Sequence, residues 1–357
     1  MVTAAFKLLS SDWPPRSSHS IALLAPSHGI VFGGEVQSRT PVPSDVNAFA
    51  LLPGSNRRLN LGLTGSVPVP RVGATLVQYG EAKYYLWGGR GGTDMEPLEG
   101  DNAGLYSFNV SDAAVHWELL STSGDAPQGR SYHSAAVLGG QLYIHAGCPT
   151  KGRLSDLWSF DSSSSSWTRK ADAPGDGRGG TALAVARVEV DGQQEEALLR
   201  WGGFAGYQLG AGNELDIYLP SKNEWTTVQP STPDGCPGPR SVHGFAGVNL
   251  QGSDDDADNL IAVMFLGERE TSVHGHAGAG TFWDDIWGLF QQRGSFLWRK
   301  LEVSGKAPSP RGWFAYASVD SSPDERNKIA RILLHGGLLS DNKRSGESYV
   351  LEVTRRG

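Results

Sequence analysis

Apolar residues in this chain come in short runs that end in glycine and give way to polar stretches. The clearest are GIVFGG, YYLWGG, QLYIHAG, ALLRWGG, LIAVMFLG and RILLHGG. Runs of this length, bounded by turn residues, predict strands. A shorter strand-like segment follows each one: DVNAF, LYSF, DLWSF, LDIY, DIWGL and ESYVL. Four units then carry a strand marked by a tryptophan, at Trp117, Trp167, Trp225 and Trp298. An arginine opens every unit, usually after proline or glycine: Arg16, Arg71, Arg130, Arg178, Arg240 and Arg311. The steps between these arginines are 55, 59, 48, 62 and 71 residues.

Each unit therefore holds four strands and a polar loop of variable length. Such a unit cannot bury both faces of its sheet alone, whereas units packed around an axis can. The residues and their order resemble the kelch repeat, with its double glycine at the end of the second strand. Six units imply an all-β fold, a six-bladed kelch β-propeller forming a single domain over residues 1–357. The blades are expected at about 16–61, 71–120, 130–170, 178–229, 240–302 and 311–353, with 3–10 completing the last. The sixth unit ends at SYVLEVTRRG without a tryptophan strand, and FKLLSSDWPPR (6–16) lines up with WELLSTSGDAPQGR (117–130). Residues 3–10 are thus expected to be the outermost strand of that blade and to close the ring, with Phe6, Leu8 and Leu9 packed inside.

Composition changes this picture little. The 47 glycines and 33 aromatic residues (11 Trp, 10 Tyr, 12 Phe) suit many short strands and tight turns better than long helices. Net charge is −7 and no Lys/Arg run appears, which argues against a nucleic-acid partner. No apolar run approaches the ~18 residues of a membrane span, and no leader pattern is read at the start. Cys148 and Cys236 lie far apart, which fits a reducing compartment, and a cytoplasmic location is expected.

The six copies also sort fold from function. A residue type present in most copies serves the fold. By this test the arginines and the fourth-strand tryptophans are structural, and His19, His133 and His243, which share one repeat position, are packed, hydrogen-bonded strand histidines. The exceptions are candidates for a site. Two residues after the arginine stand Ser18, Gly73, Gly180 and Val242, but also the large aromatics Tyr132 and Trp313. Directly after a glycine stand Glu35, Arg90 and Glu268. The loops after the second strands (35–45, 90–104, 204–213, 268–284 and 338–346) lie on one face of a propeller, where a rigid scaffold presents functional residues. One of them, GERETSVHGH, packs Glu268, Glu270, His274 and His276 into nine residues.

Several stretches resemble a narrower group, the plant specifier proteins. They are RSSHSIAL…VFGGE, LWGGR, GRSYHS, and above all GPRSVHGF…FLGERETSVHGHAGAGTF with PRGWFAY…LLHGG. The resemblance implies action on an unstable aglycone released from glucosinolates, with dependence on ferrous iron held by an E-x-x-x-D-x-x-x-H motif. Glu268 and His276 match that motif, but Ser272 stands at its aspartate. Glu270, His274, Asp284 and Asp285 are the neighbours available to compensate. The resemblance also places Arg90, Tyr132 and Trp313 at substrate-contact positions.

These observations lead to an expectation of a lyase- or isomerase-type enzyme that steers a reactive small-molecule substrate. Substrate would be held by Arg90, Tyr132, Trp313 and Glu35, with His274, His276, Glu268 or Glu270 as acid–base groups. No cofactor is the preferred expectation; Fe(II) at Glu268 and His276 is the other. The competing reading is a non-enzymatic scaffold holding a protein or peptide partner at the same mouth. A copper-radical oxidase is disfavoured because neither cysteine has a convincing tyrosine partner.

Overall fold

A computed structural model describes residues 1–356 apart from 25–27, 52–57, 81, 112–113, 211–212, 253–257, 274, 276–277, 320–324 and 326. Six antiparallel sheets carry nearly all of the strand structure. Their innermost strands are Ser20–Leu24, Thr75–Tyr79, Ser134–Leu138, Ala182–Val190, Gly244–Leu250 and Ala315–Val319. Each neighbours the next in chain order and the sixth returns beside the first, so the blades form a closed ring. Second strands lie between the first and third strands of their own sheet and are buried on both faces. Leu260 to Phe265 are all buried, which is why these segments read as unbroken apolar runs. Fourth strands face outward and alternate: Val115 and Trp117 point in, His116 and Glu118 out.

The recurring residues have a common mechanical role. The last glycine of each second strand donates its N–H to the carbonyl of the next blade's arginine: Gly34 to Arg71, Gly89 to Arg130, Gly147 to Arg178, Gly203 to Arg240, Gly267 to Arg311 and Gly337 to Arg16, at 2.8–3.0 Å. At Gly34 the backbone has φ +86°, and a Cβ would lie 2.5 Å from the Cβ of His19, so only glycine fits there. The arginines lock this junction from their own side chains. Arg16, Arg71, Arg130, Arg178, Arg240 and Arg311 each donate to the carbonyl that precedes that last glycine. Four also meet a carboxylate at the start of the third strand: Asp45, Asp156, Asp285 and Glu347. In blade 4 a different acid, Asp216, two residues further along the third strand, is paired with Arg200.

The N-terminal strand Val2–Ser10 pairs antiparallel with Ser348–Arg355 and closes the ring. Two details differ from expectation. Leu8 is 50% exposed, because a register shift between Leu8 and Ser10 turns Leu9 and Ser10 inward instead. The strand is also not outermost, since Glu302–Ser304 runs parallel beyond it. The same covering recurs at blade 2, where Gly62–Gly65 pairs parallel with Ala114–Leu119. Among the strand histidines, His133 shares a hydrogen bond with Thr75 and His19 one with His335. His243 is buried with neither ring nitrogen hydrogen-bonded among the described residues, so it is packed but not bonded as expected. Burial holds all three imidazoles in the neutral form. No described helix is long and apolar enough to cross a membrane.

Candidate functional site

Two rings of equivalent positions build the mouth of the propeller. The first follows the glycines. Glu35, Arg90, Cys148, Phe204, Glu268 and Leu338 each pair, strand to strand, with the residue after an arginine: Ser17, Val72, Ser131, Gly179, Ser241 and Gly312. This pairing puts all six on one face.

The second ring lies one residue further along, at Ser18, Gly73, Tyr132, Gly180, Val242 and Trp313. Every member is left-handed, with φ between 46° and 63°. Each N–H donates to the carbonyl of the member in the blade before, and Ser18 donates to Trp313, so six bonds of 2.8–3.2 Å form a closed circle. Ser18, Tyr132 and Trp313 face a mouth cavity of about 220 Å³ on one side and an axial channel of about 490 Å³ on the other. The ring is therefore the floor of the mouth.

The cavity is predominantly cationic although the chain is acidic. Arg39, Arg90, Arg153 and Arg344 line it, against two carboxylates, Glu35 and Glu268. Glu35 is spoken for: Arg344 Nη2 donates to it at 3.0 Å, the Arg39 backbone N–H at 2.8 Å and the Ser17 hydroxyl at 3.4 Å. Arg90 donates from Nε to the Ser131 hydroxyl at 2.7 Å and lies 5.9 Å from the Tyr132 ring centroid. Among the described residues it meets no carboxylate. Glu268 is 4% exposed, and among the described residues its carboxylate accepts one bond, from the Ser241 hydroxyl at 3.0 Å. Burial raises its carboxyl from an ordinary 4.5 to about 7. Burial, with Glu35 nearby, pushes the Tyr132 phenol up to about 12, so it stays a neutral donor. The Cys148 thiol is likewise raised by burial.

Of the residues singled out from the sequence, Glu35, Arg90, Tyr132, Glu268 and Trp313 line this one cavity, and so does Ser272. Glu270 does not; it is exposed and accepts a bond from Thr281 on the outer side of its hairpin. His274 and His276 lie outside the described residues. Other cavity residues were not singled out from the sequence, among them Arg39, Met95, Arg153, Phe204, Leu338 and Arg344. Phe204 and Leu338 occupy the same post-glycine position that had drawn attention to Glu35 and Arg90, so the signal was present and unused. Arg153 and Arg344 carry no local mark.

The family model for the KLHDC2/KLHL20/DRC7 Kelch-repeats domain matches residues 14–252. The chain belongs to this kelch-repeat family. Among its relatives is the N-(sulfonatooxy)prop-2-enimidothioate sulfolyase of Thlaspi arvense, 26% identical over 359 residues, covering 95% of this chain and 93% of that one. This agrees with the resemblance to plant specifier proteins read from the chain. Kelch domain-containing protein 3 of Rattus norvegicus is 27% identical over 252 residues, covering 69% of this chain and 57% of its own. The solved structure of YjhT superposes with a TM-score of 0.65 over 97% of this chain and 99% of that chain at 15% identity, which speaks to the fold alone.

The described residues of this kelch propeller do not offer ferrous iron a ligand set. Glu268 is the one carboxylate that its loop turns into the cavity. Asp285 is bound by Arg240 and by the Trp287 indole, so it belongs to the blade junction. Asp284 is exposed, and Ser272 brings a hydroxyl where the motif requires a carboxylate. No group of three His, Cys, Asp or Glu side chains with metal-binding geometry occurs among the described residues.

Proposed function

We propose that the mouth binds a small organic anion and directs its fragmentation or rearrangement, as a lyase or isomerase without a metal. The observation that carries this reading is Arg90: a partly buried guanidinium, held by Ser131 and Tyr132, with no carboxylate to neutralise it among the described residues. Such a group is satisfied by an incoming anion. A sulfonatooxy group, as in the name of the Thlaspi arvense relative, has the right charge and oxygens for it. As the bond to a sulfate leaving group breaks, its electron pair goes to the sulfate oxygen. Arg90 then stabilises the growing charge on the departing oxygen. Tyr132, Trp313 and Phe204 wall the remainder of the substrate and fix its orientation. Glu268, with a carboxyl near neutrality, is placed to exchange a proton with it.

The test is sulfate release and product distribution from N-(sulfonatooxy)prop-2-enimidothioate and its short homologues, generated in situ, with wild type and Arg90→Gln. Acceleration or redirected products with wild type, lost in Arg90→Gln, support the proposal. Rates and products equal to the protein-free control refute it for this substrate class.

A scaffold reading also has an observation in its favour. Val36, Tyr207 and Val273, on three loops that frame the mouth, are 47%, 72% and 93% exposed. An apolar rim around a basic centre fits an acidic peptide. Tight binding of acidic peptides with no effect on small anions would favour that alternative.

A further inference from the structure

We infer that Gly73 is a positioning residue: it seats Tyr132 in the floor of the mouth, and that floor limits the length of ligand the mouth accepts. The inference rests on the small-anion reading of the mouth. The argument begins with an oddity of the floor ring. All six positions are left-handed, which would favour glycine, yet four carry Ser18, Tyr132, Val242 and Trp313. The backbone therefore does not by itself demand glycine at 73 or 180.

Side-chain neighbours do. A Cβ on Gly73 would lie 3.0 Å from both Cδ1 and Cε1 of Tyr132, and one on Gly180 would lie 2.8 Å from a methyl carbon of Val242. Each larger residue leans onto the small residue of the preceding blade. The Tyr132 ring thus lies across blade 2 and carries its hydroxyl to 3.4 Å from the Ser18 hydroxyl in blade 1. Its ring also supports the Arg90 guanidinium. Trp313 stands three blades away, opposite Tyr132 across the axis. Both aromatics border the mouth cavity and the axial channel alike. Together with Ser18 and Trp313, the tyrosine ring separates the smaller space from the larger one. A ligand whose anion rests on Arg90 has room for a short tail, and a longer tail runs into Tyr132.

The test uses n-alkyl sulfates from methyl to hexyl as probes, with affinity read by calorimetry on the full chain. Wild type is expected to favour short chains. Tyr132→Ala is expected to shift the preference toward hexyl sulfate by about tenfold or more, since each methylene newly buried contributes ~0.8 kcal/mol. Gly73→Val copies the residue and left-handed backbone found at Val242, so the variant is expected to fold with the seat filled. Its crystal structure is expected to show Tyr132 lifted off Ser18, and its affinity for methyl sulfate to fall. An unchanged chain-length profile in Tyr132→Ala, or a Tyr132 hydroxyl still beside Ser18 in Gly73→Val, overturns the inference. Wild type that binds no alkyl sulfate of any length sinks the anion reading instead, and the Gly73→Val structure still decides the seat.

Discussion

Replacing Glu268 by glutamine should make the protein more stable at pH 8 and leave it unchanged near pH 4.5. In the unfolded chain this carboxyl ionises near 4.5, while in the folded chain it does so near 7, because burial disfavours the charged form. Between those values the folded state keeps a proton that the unfolded state has released. Stability from this group is therefore fully present below 4.5, falls as pH rises toward 7, and is level above. At about 1.4 kcal/mol per pH unit of displacement, the deficit above pH 7 is about 3 kcal/mol. Glutamine has the same shape, keeps an oxygen to accept the Ser241 hydroxyl, and carries no charge to desolvate. Urea unfolding of both proteins from pH 4.5 to 8 reads the difference directly, and taking the difference cancels the other titrating groups. The expected gain is about 2–3 kcal/mol at pH 8, vanishing at pH 4.5. A variant no more stable than wild type at pH 8, or one with the same gain at both ends, would refute the claim that Glu268 is held in a charge-disfavouring site. Because the same ionisation puts a negative charge beside the anion site, sulfate-ester affinity should fall as pH rises through 7 in wild type and stay flat in Glu268→Gln.

Phe6→Ala should cost about 3 kcal/mol, since Phe6 is buried against Tyr349 and Leu351 in the closing blade, whereas Leu8→Ala should cost well under 1; equal losses in chemical denaturation would show that the closing strand is misassigned. Arg240→Met strands Asp285 in the blade junction and should cost about 3–5 kcal/mol, with much of it recovered in Arg240→Met/Asp285→Leu; a double variant as unstable as the single one would contradict the pairing. Ser272→Asp adds a second cavity-lining carboxylate to the loop beside Glu268 and should gain ferrous-iron affinity under anaerobic calorimetry, while chelation should leave anion binding by the wild type unchanged; loss of wild-type binding on chelation would restore a metal role.

Much of the site was legible because a repeat supplies its own controls. Comparing six copies separated the junction arginines from Arg90, and a shared strand position from the aromatics at Tyr132 and Trp313. The same comparison, applied evenly, would have found Phe204 and Leu338. It had no means of finding Arg344, whose partner Glu35 is 309 residues away in sequence. Nor did the acidic and histidine-rich look of GERETSVHGH distinguish Glu268 from Glu270. Two residues apart on a hairpin strand with an irregular register, one enters the cavity and the other bonds to Thr281 at the surface.

By itself the sequence determined the blade count, the closure by the N-terminal strand and the face on which the candidate residues gather. Those features depend on local and strictly repeated interactions: short apolar runs, a glycine required by φ and by a close backbone approach, an arginine that always meets the same carbonyl. Tertiary structure decided the rest. A bulge in the closing strand, invisible in the alternation of FKLLS, turned Leu8 out and Leu9 in. The protonation of Glu268 depends on how completely neighbouring blades exclude water from it, and the charge of the mouth depends on which arginines from distant loops arrive there without a carboxylate. Such quantities are sums over groups far apart in the chain, and only packing brings those groups close enough for burial and charge to act.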